Sequence, residues 1–209
     1  MSYIICEYEK VKANFPEFKA TMEALSTQLK AQCAADWLPK TFGGLTPSAG
    51  QFGETTILPA LFRNQTDSAL APPAGNKTTW NQTLTLSDTE RQLGGAQKTI
   101  MTGSGTGGIL LEDYKVGLAG LVFLDKAIRI SEIKMQISDR KLPRINIEEA
   151  LAYNKPAIVF ETGYILDEET GFDLYAYVTT QGPQRIKLLG LQMNRVPNRL
   201  QVTNAGGTL

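Results

Sequence analysis

Apolar and polar residues alternate most cleanly at positions 172–178. Phe172, Leu174, Ala176 and Val178 interleave with Asp173, Tyr175 and Tyr177, the period of two that marks a half-buried strand. Gln181, Gly182 and Pro183 interrupt the run as turn residues do. A second apolar run follows in Ile186, Leu188, Leu189, Leu191 and Met193. Two strands joined by a short Gly-Pro loop predict a β-hairpin. Upstream, 157–160 is a short apolar run after Pro156 and fits a buried strand. Gly163 reads as a bend before Tyr164, Ile165 and Leu166, and the acidic tip 167–171 turns the chain into the alternating strand. Ile128 and Ile130 share one parity, and Ile133, Met135 and Ile137 share the other. One extra residue near Ser131 and Glu132, a β-bulge, puts all five on one face. A helix through Ile130, Ile133 and Ile137 is the rival reading. The isoleucines favour the strand, because branched Cβ atoms are stiff in helices. Positions 147–153 predict one short helix. The chain is organised around 127–193.

A different period governs the first forty residues. Phe18, Met22, Leu25, Leu29, Cys33 and Trp37 recur at intervals of three or four, one apolar stripe on a helix. Asn14 is placed as its N-cap with Pro16 and Glu17 in the first turn, and Pro39 stops it. The stripe has two readings: it covers the sheet of its own chain, or it docks on a neighbouring copy. Before it, Tyr3, Ile4, Ile5 and Cys6 form a short strand or an anchoring arm.

The texture then changes. Eleven of the 19 glycines and five of the ten prolines fall in 39–108. Only 56–58, 60–62 and 80–86 look strand-like. So long a stretch with so little local structure is unusual inside a compact monomer. Its scattered Trp, Phe, Leu and Ile argue against full disorder. The expectation is an extended arm ordered on other subunits. Positions 103–108 are rich in glycine but lack the Gly-Lys-Ser/Thr ending of a phosphate-binding loop, so they read as a hinge. Positions 114–124 are apolar throughout. Gly117 and Gly120 would each weaken a helix by about 1 kcal/mol, so this run is taken as extended. The expected division is 1–38 for the amino-terminal strand or arm and helix, 39–108 for the arm, 109–194 for the β core and 195–209 for a carboxy-terminal arm.

Composition narrows the chemistry. The chain has 209 residues, 42% of them hydrophobic, and Lys plus Arg balances Asp plus Glu at 21 each. Nucleic-acid binders usually carry a basic surplus, so nucleic acid is not indicated as a partner. A neutral chain is also poorly protected from self-association. Histidine is absent, which removes Ser-His-Asp and Cys-His catalysis and His-ligated metals. No Ser or Thr has a base partner that would make it a nucleophile, so no enzyme, cofactor or metal is expected. Asp167, Glu168, Glu169 and Asp173 could offer oxygens to calcium, but they lack EF-hand spacing and read as a solvated tip. Glu148 and Glu149 are adjacent and point apart on a helix. Lys126, Arg129, Lys134, Arg140, Lys141 and Arg144 form a modest basic run, read as edge charges that block unwanted strand pairing. Cys6 and Cys33 are taken as free, buried thiols rather than a disulfide. Asn64, Asn76 and Asn81 head Asn-x-Thr sequons, which need an exported chain to matter. The amino terminus does not resemble a signal peptide, and no apolar run approaches a membrane span. The expectation is a protein made in a host cytoplasm.

Together these elements predict a mainly β chain: a β-sandwich or jelly-roll-like domain with an amphipathic N-terminal helix and long extended arms. At pattern level, 157–160, 172–178, 185–191 and the arms resemble virion structural proteins, in particular the single jelly-roll coat proteins of tailless viruses. That resemblance implies a self-assembling capsid component located in the virion. Its partners would be copies of itself and other virion proteins. The subunit interface is expected to use Phe18, Met22, Leu25, Leu29, Trp37, Phe62 and Trp80. The competing expectation is a non-catalytic β-sandwich module that binds a ligand or carbohydrate, with Trp80, Tyr175 and Tyr177 as an aromatic platform.

Overall fold

The computed structural model describes residues 2–13, 15–37, 52–57, 80–101, 110 and 113–195. Among the described residues, eleven strands run in chain order: β1 Tyr3–Glu7, β2 Phe52–Thr56, β3 Trp80–Leu84, β4 Ala96–Met101, β5 Tyr114–Phe123, β6 Ile130–Ile137, β7 Arg140–Lys141, β8 Ile145–Asn146, β9 Pro156–Leu166, β10 Phe172–Val178 and β11 Gly182–Arg195. The same residues hold three α-helices: α1 Tyr8–Lys12, α2 Pro16–Trp37 and α3 Asp88–Gln92. The short helix expected at 147–153 is a 3-10 turn at Glu148–Ala152. The Asn14 cap, Phe62, Asn64, Asn76, the glycines at 103–108 and the 195–209 arm beyond Arg195 lie outside the described residues.

The fold is mainly β, built from two antiparallel sheets. The first has the order β1-β9-β5-β11-β2, with β3 pairing the other half of the same β11 edge. The second has the order β4-β10-β6-β7, with β8 also on β6. Phe160, Leu118, Leu121, Phe123 and Leu188 from the first sheet meet Ile133, Met135, Phe172, Leu174 and Val178 from the second in the main core. Strands β2, β3 and β4 and helix α3 come from the 39–108 stretch. Where that stretch is described, it supplies ladder strands to both sheets. Their short lengths and mixed polarity hide them locally, because their pairing partners lie about 70 to 140 positions away along the chain.

The 172–193 hairpin is not formed. β10 lies between β4 and β6 in the second sheet, whereas β11 pairs with β5, β2 and β3 in the first. Residues 179–181 therefore cross between sheets. Arg129 ties the crossing down. Its carbonyl accepts from the Thr179 amide at 2.8 Å, and its guanidinium donates to the carbonyls of Gln181 and Pro183 at 2.7 and 3.1 Å. Gly182 sits at φ +137, a conformation that side chains disfavour. The acidic tip 167–171 likewise crosses, from β9 to β10.

The far face of the first sheet carries α1 and α2. Along α2, Thr21, Leu25, Leu29, Cys33 and Trp37 are buried. Leu25, Leu29, Cys33 and Trp37 pack on Ala119, Leu191 and Met193. Each large apolar side chain so covered contributes about 1.5–3 kcal/mol. Strand β5 is thus enclosed by a helix on one face and a sheet on the other, which explains its unbroken apolar sequence. Gly117 and Gly163 seat the helix. A Cβ on Gly117 would lie 2.9 Å from Leu29 Cδ1, and one on Gly163 would lie 2.7 Å from Leu25 Cγ. Strand β9 loses register here: Leu118 opposes Tyr164, while Gly120 opposes Val159. Gly163 lies at this register shift within an unbroken β9, and it makes room for Leu25 of the helix. The Thr21 hydroxyl reaches the carbonyls of Phe160 and Glu161 at 3.2 and 3.1 Å. Among the described residues, no helix is long and apolar enough to cross a membrane.

Candidate functional site

Strand β10 turns Phe172, Leu174, Ala176 and Val178 into the core, and all four are buried. The pleat must then send Tyr175 and Tyr177 to the opposite, outer face, where both are half-buried. Register decides what surrounds them. On β6, Lys134 is directly opposite Tyr175 and Glu132 is opposite Tyr177; on β4, Gln97 is opposite Tyr177. Strand β6 skips one residue here, since Tyr177 pairs with Glu132 and Val178 with Ile130. This is the bulge expected at Ser131, and it keeps Ile130, Ile133 and Met135 in the core while Glu132 and Lys134 share the outer face. Arg144, from the link between β7 and β8, reaches Glu132 with an N–O distance of 3.0 Å.

These side chains line a depression of about 90 Å³: Gln97, Glu132, Lys134, Arg144, Tyr175 and Tyr177. The Lys134 ammonium stands 5.5 Å from the centre of the Tyr175 ring, a cation–π distance. The pocket offers aromatic faces, an amide, one carboxylate and two cations. Such a set can stack on and hydrogen-bond to a ligand.

A second charged cluster lies at the end of α2. Lys115 on β5 is 2% exposed and pairs with Asp36 at 2.7 Å and with Asp167. Its ammonium is 5.8 Å from the Trp37 ring. Burial pushes the lysine pKa down, but hydrogen bonds and charge from Asp167 and Asp36 outweigh it and leave the pKa raised. Close by, burial lifts the Cys33 thiol to about 11. Glu168 accepts from the Asp113 amide at 3.0 Å, and Asp173 is buried within β10. The acidic run is thereby dispersed. Among the described residues, no group of His, Cys, Asp and Glu could hold a metal ion.

The residues expected at a subunit interface fall in several places. Leu25, Leu29 and Trp37 are covered by the chain's own sheet, and Phe18 and Met22 are half-buried beside them. Trp80 opens β3, its backbone paired with Ile186. That places it in the first sheet, away from the strand that carries Tyr175 and Tyr177, so the three aromatics do not share one strand ladder. Cys6 and Cys33 are free and buried, in separate clusters. Nothing local in the sequence marks Glu132, Lys134, Arg144 and Gln97 as partners of the tyrosines, because strand register and the β7–β8 link bring them together. Compared with protein-family models and with curated proteins, the chain matches none.

Proposed function

We propose that the chain is a jelly-roll protein that assembles with copies of itself, as a virion coat component does. One observation carries this reading: the nesting of the strand pairs. β3 pairs with β11, β4 with β10, β5 with β9, and β6 with β7 and β8. Within the span from β3 to β11 the first strand joins the last, as in one long hairpin, while β1 and β2 add to β9 and β11 from outside it. Contacts of β5 with β11 and of β6 with β10 then roll that hairpin into two sheets. Successive strands from β3 to β6 alternate between the sheets, as do β9, β10 and β11. A hairpin doubly wound in this way supports the jelly-roll reading, and jelly rolls occur in viral capsid and lectin domains. With the α2 stripe occupied by its own sheet, the sheet edges become the favoured contact elements. β4 and β7 border the second sheet, and edge strands invite pairing.

The test is mass in solution. Light scattering and negative-stain microscopy of the purified chain are expected to find regular particles, rings or tubes. A monomer that persists at high concentration across salt and pH would overturn the proposal.

A second reading has its own support. A ligand-binding module of the same architecture would use the pocket around Tyr175 and Tyr177, and it requires no assembly.

A further inference from the structure

We propose that the depression on the outer face of the second sheet binds an acidic sugar, a pyranose ring bearing a carboxylate. The inference rests on the reading of this pocket as a ligand site and adds the ligand's class. Its size comes first. About 90 Å³ is below the few hundred Å³ of a pocket that engulfs a drug-sized molecule, so it suits one ring laid against a wall. Tyr177 supplies that wall. A half-buried aromatic face takes the C–H face of a sugar by apolar contact and dispersion.

Polarity comes next. Gln97 brings an amide that both donates and accepts, and Glu132 brings a carboxylate that accepts. Both stand opposite Tyr177 on neighbouring strands, one on each side, where ring hydroxyls would emerge. Charge then selects among sugars. The lining holds two cations, Lys134 and Arg144, and one carboxylate, Glu132, which leaves one positive charge in excess. Arg144 is paired with Glu132, and its fork has further donors. Lys134 lies over Tyr175 and has no carboxylate partner among the described residues. A neutral sugar leaves that ammonium without a counter-charge. One carboxylate matches it. A phosphate dianion exceeds the available charge and meets Glu132.

The experiment titrates the isotope-labelled full chain with a tetrasaccharide ending in glucuronic acid and with its counterpart ending in glucose, followed by amide chemical shifts. The acidic sugar should shift amides at 97, 132–134 and 175–177, and bind about tenfold more tightly than the neutral one, the worth of a charge-assisted hydrogen bond. Lys134→Met should bring the acidic sugar down to the neutral affinity. Tyr177→Leu, which keeps bulk but loses the flat face, should weaken both. Equal affinity for the two sugars overturns the acidic class and leaves a sugar site standing. No shift from either up to about 10 mM overturns the site itself.

Discussion

The Lys115 ammonium is 2.7 Å from the Asp36 carboxylate, which joins the last turn of α2 to the start of β5. Asp167 completes the group from the turn after β9. The three members differ in exposure: the Lys115 side chain is 2% exposed, those of Asp36 and Asp167 50% and 56%. Losing the lysine lets two half-exposed carboxylates rehydrate. Losing both carboxylates strands a buried cation. Lys115→Met should therefore cost no more than about 1 kcal/mol, and Asp36→Asn with Asp167→Asn about 3 kcal/mol. Urea unfolding would measure both.

The same cluster fixes a pH dependence. The Lys115 pKa is raised on folding from its ordinary 10.5. A raised pKa adds stability that is complete below about pH 10.5 and disappears as pH climbs through the folded value. An alkaline loss of stability should appear in the wild type and shrink in Lys115→Met. Identical alkaline limbs would exclude the linkage.

Gly120 and Gly163 meet different obstacles. A Cβ at Gly120 would strike the Ile158 carbonyl oxygen, which belongs to the paired backbone of β9. At Gly163 it would strike the Leu25 side chain on α2. Both Gly→Ala changes should destabilise, by about 1–3 kcal/mol. Only one can be relieved. Leu25→Ala should reduce the cost of Gly163→Ala, giving a coupling of about 1 kcal/mol, and should leave the cost of Gly120→Ala unchanged. Equal coupling at the two sites would count against this geometry.

These glycines also show how far the sequence could be read. The period of two in β10, the Ser131 bulge and the apolar stripe of α2 are local patterns, and each is legible because a pleat or a helical turn sets its spacing. The partner of each element is not local. Gln181, Gly182 and Pro183 look the same whether the chain folds back into a hairpin or crosses to another sheet, so the local pattern points β11 to β10 although it pairs with β5, β2 and β3. Gly117 reads as a helix breaker, although it is the seat for Leu29. The pocket was half visible for the same reason. Tyr175 and Tyr177 stand out as the polar parity of a strand. Lys134 and Glu132, about forty positions earlier, become their neighbours only through register.

Glu90 predicts an acid limb. Its carboxylate accepts from Lys98 Nζ at 2.7 Å and from the Ser87 amide at 2.7 Å, while its own amide donates to Ser87 Oγ at 3.2 Å. The Lys98 contact first, then the Ser87 amide, hold its pKa at about 2, below the ordinary 4.5. A lowered pKa gives stability that is present above about pH 4.5 and is lost as pH falls towards 2. Glu90→Gln should flatten that part of the urea-midpoint profile. Ser87→Ala removes the helix cap and should cost about 1 kcal/mol at neutral pH. An acid limb unchanged by Glu90→Gln would refute the assignment.

Thr21 tests the join between helix and sheet. Its hydroxyl is buried and serves the Phe160 and Glu161 carbonyls where β9 leaves register with β5. Valine keeps the shape and removes the donor, which leaves those acceptors without it, so Thr21→Val should cost about 1–2 kcal/mol. Thr21→Ser keeps the donor and gives up one methyl, about 0.8 kcal/mol. Hydrogen exchange separates the two. In the valine variant, amides of α2 and of 160–166 should exchange faster together, since the one hydroxyl links both elements; in the serine variant they should stay close to wild type. If valine is as stable as threonine, packing alone holds α2 to the sheet and the hydroxyl is incidental.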